Sequence, residues 1–479
     1  MPLIDALLLD PASFNVWIAF RTDGIKGCGT NTDPYDGSTQ DRFDEAMVKI
    51  ASQFPNQKVG VFLGPGTFIT AGFVPGGSNA WQLQPGMKII GSGRDVTTLK
   101  RASGITSGYV LGHDLATAVD DLELCDLTLD CNLQNGSGSG ATCGGILVMG
   151  SRVRVARVRA IHWGCTLSSG ICYVFAVIQA NPPTVSFVSN AGIEGCEASA
   201  PKKLTSGTTP EHAGTTVLFH SGAKDSGGFQ QEDYGLSPYI RNCFGEWDAS
   251  ITGTECRGLS MNWCRGGVVE GNHIYNADYG GPYPNTGTTL DLIVRNNFFK
   301  NVKHGMRWPQ GGLGSQLAIT QLIVDPNDST LGRATTGSPH GFREAERVLI
   351  SPVVASPSTG RAFTGYFAIA SIEGTDKFKF RLPTTSPGTA PDNRNAQKVF
   401  SAGRLIVEGN IIELRQGISG QRAIQTLDNV ASIPAPDYIY GDVIIRNNKI
   451  RYVDATPPND ATATLIEAQG ASAQGFRFW

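Results

Sequence analysis

The chain has 479 residues, 59 of them glycine, with 17% charged residues and a formal net charge of −3. That length exceeds one compact core and asks for two or three domains or one elongated array. Near-neutral charge without a basic stripe argues against a nucleic-acid partner, and no apolar run approaches the roughly 20 residues of a membrane span. Apolar residues come in short alternating runs parted by Gly, Asn, Asp and Ser, so the expected fold class is all-β.

Residues 1–20 (MPLIDALLLDPASFNVWIAF) lack a basic start, an unbroken apolar stretch and a small-residue cleavage site. No classical signal peptide is read there. A protein acting outside a cell would then leave by lysis, by a dedicated machine or within a virus particle. Residues 1–20 are read as a segment for attachment or packing.

Residues 21–101 hold three motifs. In Thr22–Phe54 (TDGIKGCGTNTDPYDGSTQDRFDEAMVKIASQF) a Gly/Asp-rich loop runs into a helical pattern. Phe43, Met47, Ile50 and Phe54 share one helix face, and Ser38 or Thr39 can cap its start. Asp33, Asp36, Asp41 and Asp44 suit capping and turn chemistry there. Val59–Thr70 (VGVFLGPGTFIT) and Leu83–Leu99 (LQPGMKIIGSGRDVTTL) follow. The GSG of the latter comes after a strand with no helical pattern behind it, so it is a turn and not a dinucleotide site.

Residues 102–316 carry the acids, the cysteines and a repeat. Asp120, Asp121, Glu123, Asp126 and Asp130 partly alternate along AVDDLELCDLTLDCN, and outward carboxylates at spacing two can coordinate calcium. Solvated strand acids are the commoner outcome, so no metal site is assigned and Ca2+ is the one cofactor these positions suggest. Nine of the ten cysteines lie between Cys125 and Cys264, without a CxxC pair. Intervals of 22, 24 and 21 residues (Cys143–Cys165, Cys172–Cys196, Cys243–Cys264) suggest one reduced, packed thiol per turn of a coil. Phe219–Ala249 combines His220, Asp225, Glu232, Asp233, Glu246 and Asp248 with Tyr234 and Trp247, the flat faces and carboxylates a sugar groove wants. Glu232, Asp233, Glu246 and Asp248 are the candidate catalytic acids. His220, Tyr234, Trp247 and Tyr279 are the candidate sugar contacts, flanked by polar loops around Ala198–Thr215 and Tyr275–Thr289.

The repeat is VVEGNHI at Val268, LIVRNNFF at Leu292, LIVEGNII at Leu405 and VIIRNNKI at Val443. Aligned on Asn272, Asn297, Asn410 and Asn448, the intervals are 25, 113 and 38 residues. Residues 317–403, of different texture, occupy the long interval. Removing them leaves about one coil, which fits the 20–50-residue period of a solenoid. Alternation points Leu292, Val294 and Asn296 inward. An asparagine at the corner tolerates a left-handed bend and can hydrogen-bond the Asn above and below. Glu270, Arg295, Glu408 and Arg446 precede the corners with alternating sign, a structural charge column. Residues 404–455 are read as the last coils and 456–479 as a cap or trimerisation tail.

The motifs in Thr22–Phe54, Val59–Thr70 and Leu83–Leu99 resemble the first segment of pectate-lyase-like right-handed parallel β-helices, where a helix plugs the solenoid. The coil texture of 140–455 is similar, and 317–403 resembles small β-domains of viral tail proteins. The resemblance implies an all-β right-handed parallel β-helix with a capping helix and an inserted β-module. It implies a tail-spike-like protein, a homotrimer at a virion tail or outside the cell, that recognises and in some members cleaves a surface polysaccharide. Other virion tail proteins are implied partners. The superfamily also contains secreted polysaccharide lyases and hydrolases and non-enzymatic adhesion proteins, so an enzyme is one reading of three.

Overall fold

The computed structural model describes residues 14–478 apart from 56, 78, 106, 136–141, 167–169, 179–189, 200–213, 223–234, 249–254, 263, 284–290, 311, 314–315, 352–362, 364, 383–393, 401–403, 416–420, 429–442, 453–463 and 469–475. Three long sheets run along the molecule: a first of 13 strands from Tyr35–Asp36, beside Phe14–Ala19, to Phe476–Phe478, and two of ten strands each. The second sheet runs from Gly66–Thr70 to Lys449–Tyr452, and the third carries Thr142–Met149 through Thr464–Ala468. Each turn of the chain visits the sheets in order, and neighbouring strands pair parallel, as in Ile240 with Val269 and Val294 with Val407. The fold is a right-handed parallel β-helix. Among the described residues, no helix is long and apolar enough to cross a membrane.

The coils reach further than the sequence indicated at both ends. Phe14–Ala19 already pairs with Val59–Leu63, and Phe476–Phe478 pairs with Val443–Ile445. Aliphatic and aromatic side chains of all three sheets fill one continuous core. At its amino end sits the helix Gln40–Gln53, capped by Thr39, whose hydroxyl accepts from Arg42 N. The helix buries Phe43, Ala46, Met47 and Ile50. Asp44, also buried, pins it to the first coil by accepting from Thr70 Oγ1 (2.6 Å), Trp81 Nε1 (3.0 Å) and Ala71 N (3.0 Å).

From Cys125 onward the corner between the first and second sheets is two residues, and each has its own task. Its first residue takes a positive φ in every coil from Asp126 onward: Asp126, Arg157, Gly195, Asn242, Gly271, Asn296, Gly409 and Asn447 lie between 52° and 66°. The second turns inward. In those eight coils it is Leu127, Val158, Cys196, Cys243, Asn272, Asn297, Asn410 and Asn448. The last four form an amide rail, Nδ2 to Oδ1 over 2.9, 2.9 and 2.8 Å. The left-handed kink breaks the strand alternation, so Asn296 is exposed and Asn297 buried, contrary to the inward placement of Asn296. The alternation of Gly-Asn with Asn-Asn follows from close approach. A Cβ on Gly409 would lie 2.7 Å from Asn296 Oδ1 in the coil beneath.

The charge column outside this corner has six members. Glu194, Arg241, Glu270, Arg295, Glu408 and Arg446 stand in register. Arg295 Nε donates to Glu270 at 2.9 Å and Arg446 Nε to Glu408 at 2.7 Å.

All ten cysteines are free thiols, and every one except Cys28 is buried. The stacked ones differ from the intervals read in the sequence. Cys196 and Cys243 are neighbours in the corner column, while Cys172 Sγ donates to Cys143 O at 3.2 Å.

Between third-sheet strand His304–Gln310 and first-sheet strand Leu405–Glu408 the chain leaves the coil. Leu317–Val324, Leu331–Thr336, Lys377–Arg381, Gly365–Glu373, Arg347–Ser351 and Asn395–Phe400 pair antiparallel in that order, and the last pairs back to the first. This is a closed six-stranded barrel with a core of its own, including Val348, Phe367, Phe378 and Phe380. Gly312–Leu313 pairs with Val399–Phe400, so the module begins and ends at one point.

Candidate functional site

The sequence-derived candidates fall on two faces. Glu246, half-buried, is outward on the second sheet in register with Tyr275, which is followed by Lys300. Asp248 stands two residues on and is also half-buried. Trp247, between them, is a correction. Only 4% exposed, it packs on Trp163 with ring centroids 5.4 Å apart inside the core, so it offers no face to a sugar. Glu232, Asp233 and Tyr234 lie outside the described residues, in the connection that leaves strand Thr215–Gly222.

His220 and Tyr279 belong to the outer face of the third sheet, whose strands place outward side chains in two columns. One reads Tyr173, Val217, Arg257, Tyr279, His304 and Arg422. The other contains Ala176, His220 and Ser260, and further along Arg307 and Gln425. As far as Arg422 and Gln425 neither column holds a carboxylate, and on the last strand Glu467 follows Gln425 in register. At the amino end the same face is apolar, with Phe73, Tyr109, Leu147, Met149 and Ile178 packed together. The chemistry therefore changes along the molecule from hydrocarbon to aromatic and basic.

The centre of the polar half is a set of stacked rings. Tyr279 lies 4.1 Å from Tyr283 and 4.8 Å from His304, the latter pair nearly parallel at 20°. Two guanidinium groups flank Tyr283, Arg257 at 4.3 Å and Arg307 at 5.2 Å from the ring centroid. Arg307 Nη1 donates to Tyr283 Oη at 2.8 Å, and Arg257 Nε to Glu255 at 2.8 Å. Burial and the nearby cations Lys303, Arg422 and Arg307 push the His304 imidazole down to about 4, so it is neutral at physiological pH. Burial raises the Tyr279 phenol to about 12, keeping it a hydrogen-bond donor. Tyr279, Arg307 and Arg422 remain half-exposed.

His220 is 1% exposed; its Nδ1 bonds Ser260 Oγ at 3.1 Å and its ring lies 5.0 Å from Tyr173. It is a floor under this face rather than a direct sugar contact, which corrects its expected role. Arg257, Tyr283, His304 and Arg307 were not singled out in the sequence. A signal existed: Arg257-Gly258, Tyr279-Gly280, His304-Gly305 and Arg422-Ala423 repeat an aromatic or basic residue before a tiny one. The tiny residue faces inward where a second-sheet side chain fills the space. A Cβ at Gly280 would come within 2.8 Å of Phe299 Cβ.

The acids of Asp120–Asp130 are matched one by one with bases of the next coil. Arg152 pairs with Asp121 (2.6 Å), Arg154 with Glu123 (2.6 Å), Arg157 with Asp126 (2.7 Å) and His162 with Asp130 (2.8 Å). Asp120 accepts from Ser151 N at 2.8 Å. Among the described residues, no three His, Cys, Asp or Glu side chains gather as a metal site would need.

No family model matches the sequence, and no curated protein sequence does. Solved structures of similar path exist at low identity. The A-module of mannuronan C-5 epimerase AlgE4 from Azotobacter vinelandii is 13% identical, with 94% of this chain and 99% of that one covered and a TM-score of 0.34. The Streptococcus pneumoniae surface protein and adhesin PfbA is 11% identical over 90% and 85%, TM-score 0.43. The tailspike of Acinetobacter baumannii bacteriophage Fri1, a capsular polysaccharide depolymerase, is 9% identical over 82% and 86%, TM-score 0.30.

Proposed function

We propose that this chain recognises a cell-surface polysaccharide along the outer face of its third sheet, as a tail-spike-like homotrimer acting at a virion tail or outside the cell. The observation that carries the reading is the aromatic–basic run of Tyr279, Tyr283, His304, Arg257 and Arg307 on a regular, repeating surface. Coils stacked about 4.8 Å apart match the scale of successive sugar units. Aromatic rings take the apolar sugar faces, and fixed donors take the hydroxyls. The long connections 200–213, 223–234, 249–254 and 284–290 all enter or leave this sheet.

Cleavage by hydrolysis needs two carboxyls roughly 5–5.5 Å apart for retention or 6.5–9.5 Å for inversion. As far as Gln425 the two third-sheet columns supply none, so Glu246 and Asp248, with Glu232 and Asp233, remain the acids to test for it. The decisive experiment is binding of a panel of bacterial surface polysaccharides, read together with new reducing ends and unsaturated-uronate absorbance. Tyr279→Ala is expected to weaken binding about tenfold or more at unchanged melting temperature. Full binding by Tyr279→Ala together with loss in Glu246→Gln would move the site to the second sheet. Sedimentation equilibrium tests the trimer, and a monomer at micromolar concentration would remove it.

A further inference from the structure

The outer face of the first sheet carries an apolar ribbon. Tyr239, Val268, Ile293, Ile406 and Ile444 stand in register over five consecutive coils. All five are partly exposed, while the residues that follow them, Ile240, Val269, Val294, Val407 and Ile445, face the core. Coils about 4.8 Å apart make the ribbon roughly 20 Å long. It is bounded at both ends. Towards the amino end the same column continues as Gly192, Arg154, Glu123 and Lys88, and beyond Ile444 it reaches Arg477. A sugar platform wants flat rings and hydrogen-bond donors, and four of these five side chains are branched aliphatics. An apolar centre with a charged rim has the composition of a protein–protein contact.

The charges beside the ribbon indicate which protein. Outward residues alternate along a strand, so each coil shows a start, a middle and an end. In one coil these are Asp291, Ile293 and Arg295; in the next they are Arg404, Ile406 and Glu408. The two ends carry opposite signs, and their order reverses between these coils. The sequence returns to the first order in DVIIR, Asp442 to Arg446. Asp291 and Arg404 are exposed. About 13 Å of strand parts Asp291 from Arg295, and Arg295 pairs instead with Glu270 of the coil beneath. Three copies in a closed ring are related by a cyclic axis, so their coils run parallel with equal heights level. Where three first sheets face that axis, the end of each strand meets the start of its neighbour's. Arg295 then meets Asp291 of the next copy and Glu408 meets Arg404. Ile293 and Ile406 meet their own kind at the axis, where a charge would face itself.

Resting on the homotrimer reading above, we infer that copies of this chain associate through the outer face of the first sheet, with the Tyr239–Ile444 ribbon at the axis and the oppositely charged strand ends paired between neighbours. The sugar face on the third sheet is thereby left free in every copy.

The test is sedimentation equilibrium of the full chain, with a cooperative melt for each variant to show that it folds. Expected is a wild-type trimer at micromolar concentration whose dissociation constant rises at least about tenfold in Ile293→Asp and in Ile406→Asp. Ile69→Asp, at an exposed isoleucine of the second sheet, should change nothing. Asp291→Lys should weaken association, and adding Arg295→Glu to the same chain should restore it, because the swapped ends match again across the contact. A trimer undisturbed by both isoleucine variants would overturn the inference and leave the homotrimer standing on another face. Association weakened by Asp291→Lys and not restored by the swap would overturn the pairing of strand ends. A trimer that survives Ile293→Asp but loses its polysaccharide would assign the ribbon to the ligand instead. A wild type that stays monomeric would fell both the inference and the homotrimer.

Discussion

Asn297 makes four side-chain hydrogen bonds inside the molecule. Its Oδ1 accepts from the backbone and side-chain nitrogens of Asn272, and its Nδ2 donates to Asn410 Oδ1 and Val269 O. Asn297→Ala would orphan several buried polar groups at once, so a loss of about 2–4 kcal/mol is expected from urea midpoints. Arg295→Glu, two residues away but 41% exposed, would put an acid between Glu270 and Glu408. It should cost only about 0.5–1 kcal/mol. If the exposed change proves the larger, the amide rail is not what holds the corner. Acid should act through His304. Its folded-state value near 4 lies below the ordinary 6.5, so the unfolded chain binds the proton first. Stability is then full above about pH 6.5 and falls as the pH drops towards 4. His304→Gln should flatten that fall, by at most about 3 kcal/mol between pH 7 and 4. His113, pushed by burial to about 4 as well, keeps part of the slope in the variant. A pH profile identical to wild type would show that His304 is solvated.

At the scale of elements, the barrel module and the coil are joined at one point and have separate cores. Phe378, fully buried in the module, is its test: Phe378→Ala should lower one calorimetric transition by the equivalent of about 3–5 kcal/mol and leave the other in place. Replacing residues 317–403 by a short Gly/Ser linker should keep the coil transition, since Asn297 N already donates to Asn410 Oδ1 across the excursion at 3.0 Å. Loss of both transitions would mean that the module supports the solenoid. The coil was legible because its corner is chemically demanding: an amide rail and a left-handed residue leave few sequence choices. The first five coils were less so, because Leu127 and Val158 fill the same column with ordinary aliphatic residues. The site was harder still. Residues such as Arg257, His304 and Arg307 are separated by tens of positions in sequence and meet only through register, which composition does not reveal. Trp247 misled because aromatic residues near acids look alike whether a following turn points them out or in.

From Cys125 onward the whole molecule keeps a strict step at one corner and freedom at the others. From Ile240 to Val269, Val294, Val407 and Ile445 the chain spends 29, 25, 113 and 38 residues per turn, yet the two-residue corner never changes. The rail therefore works as a ruler for tolerated change in length. A single residue deleted between Val294 and Phe298 would carry Asn297 out of the column and turn every later side chain of that strand to the wrong side. An insertion of any size after Gln310 leaves the count undisturbed, which is where an entire barrel has been accommodated. In a library of random insertions and deletions, survivors should cluster in the connections around the third sheet, beside the proposed sugar face. Such a protein can rebuild the walls of its binding surface by length alone while the backbone that carries the surface stays in step.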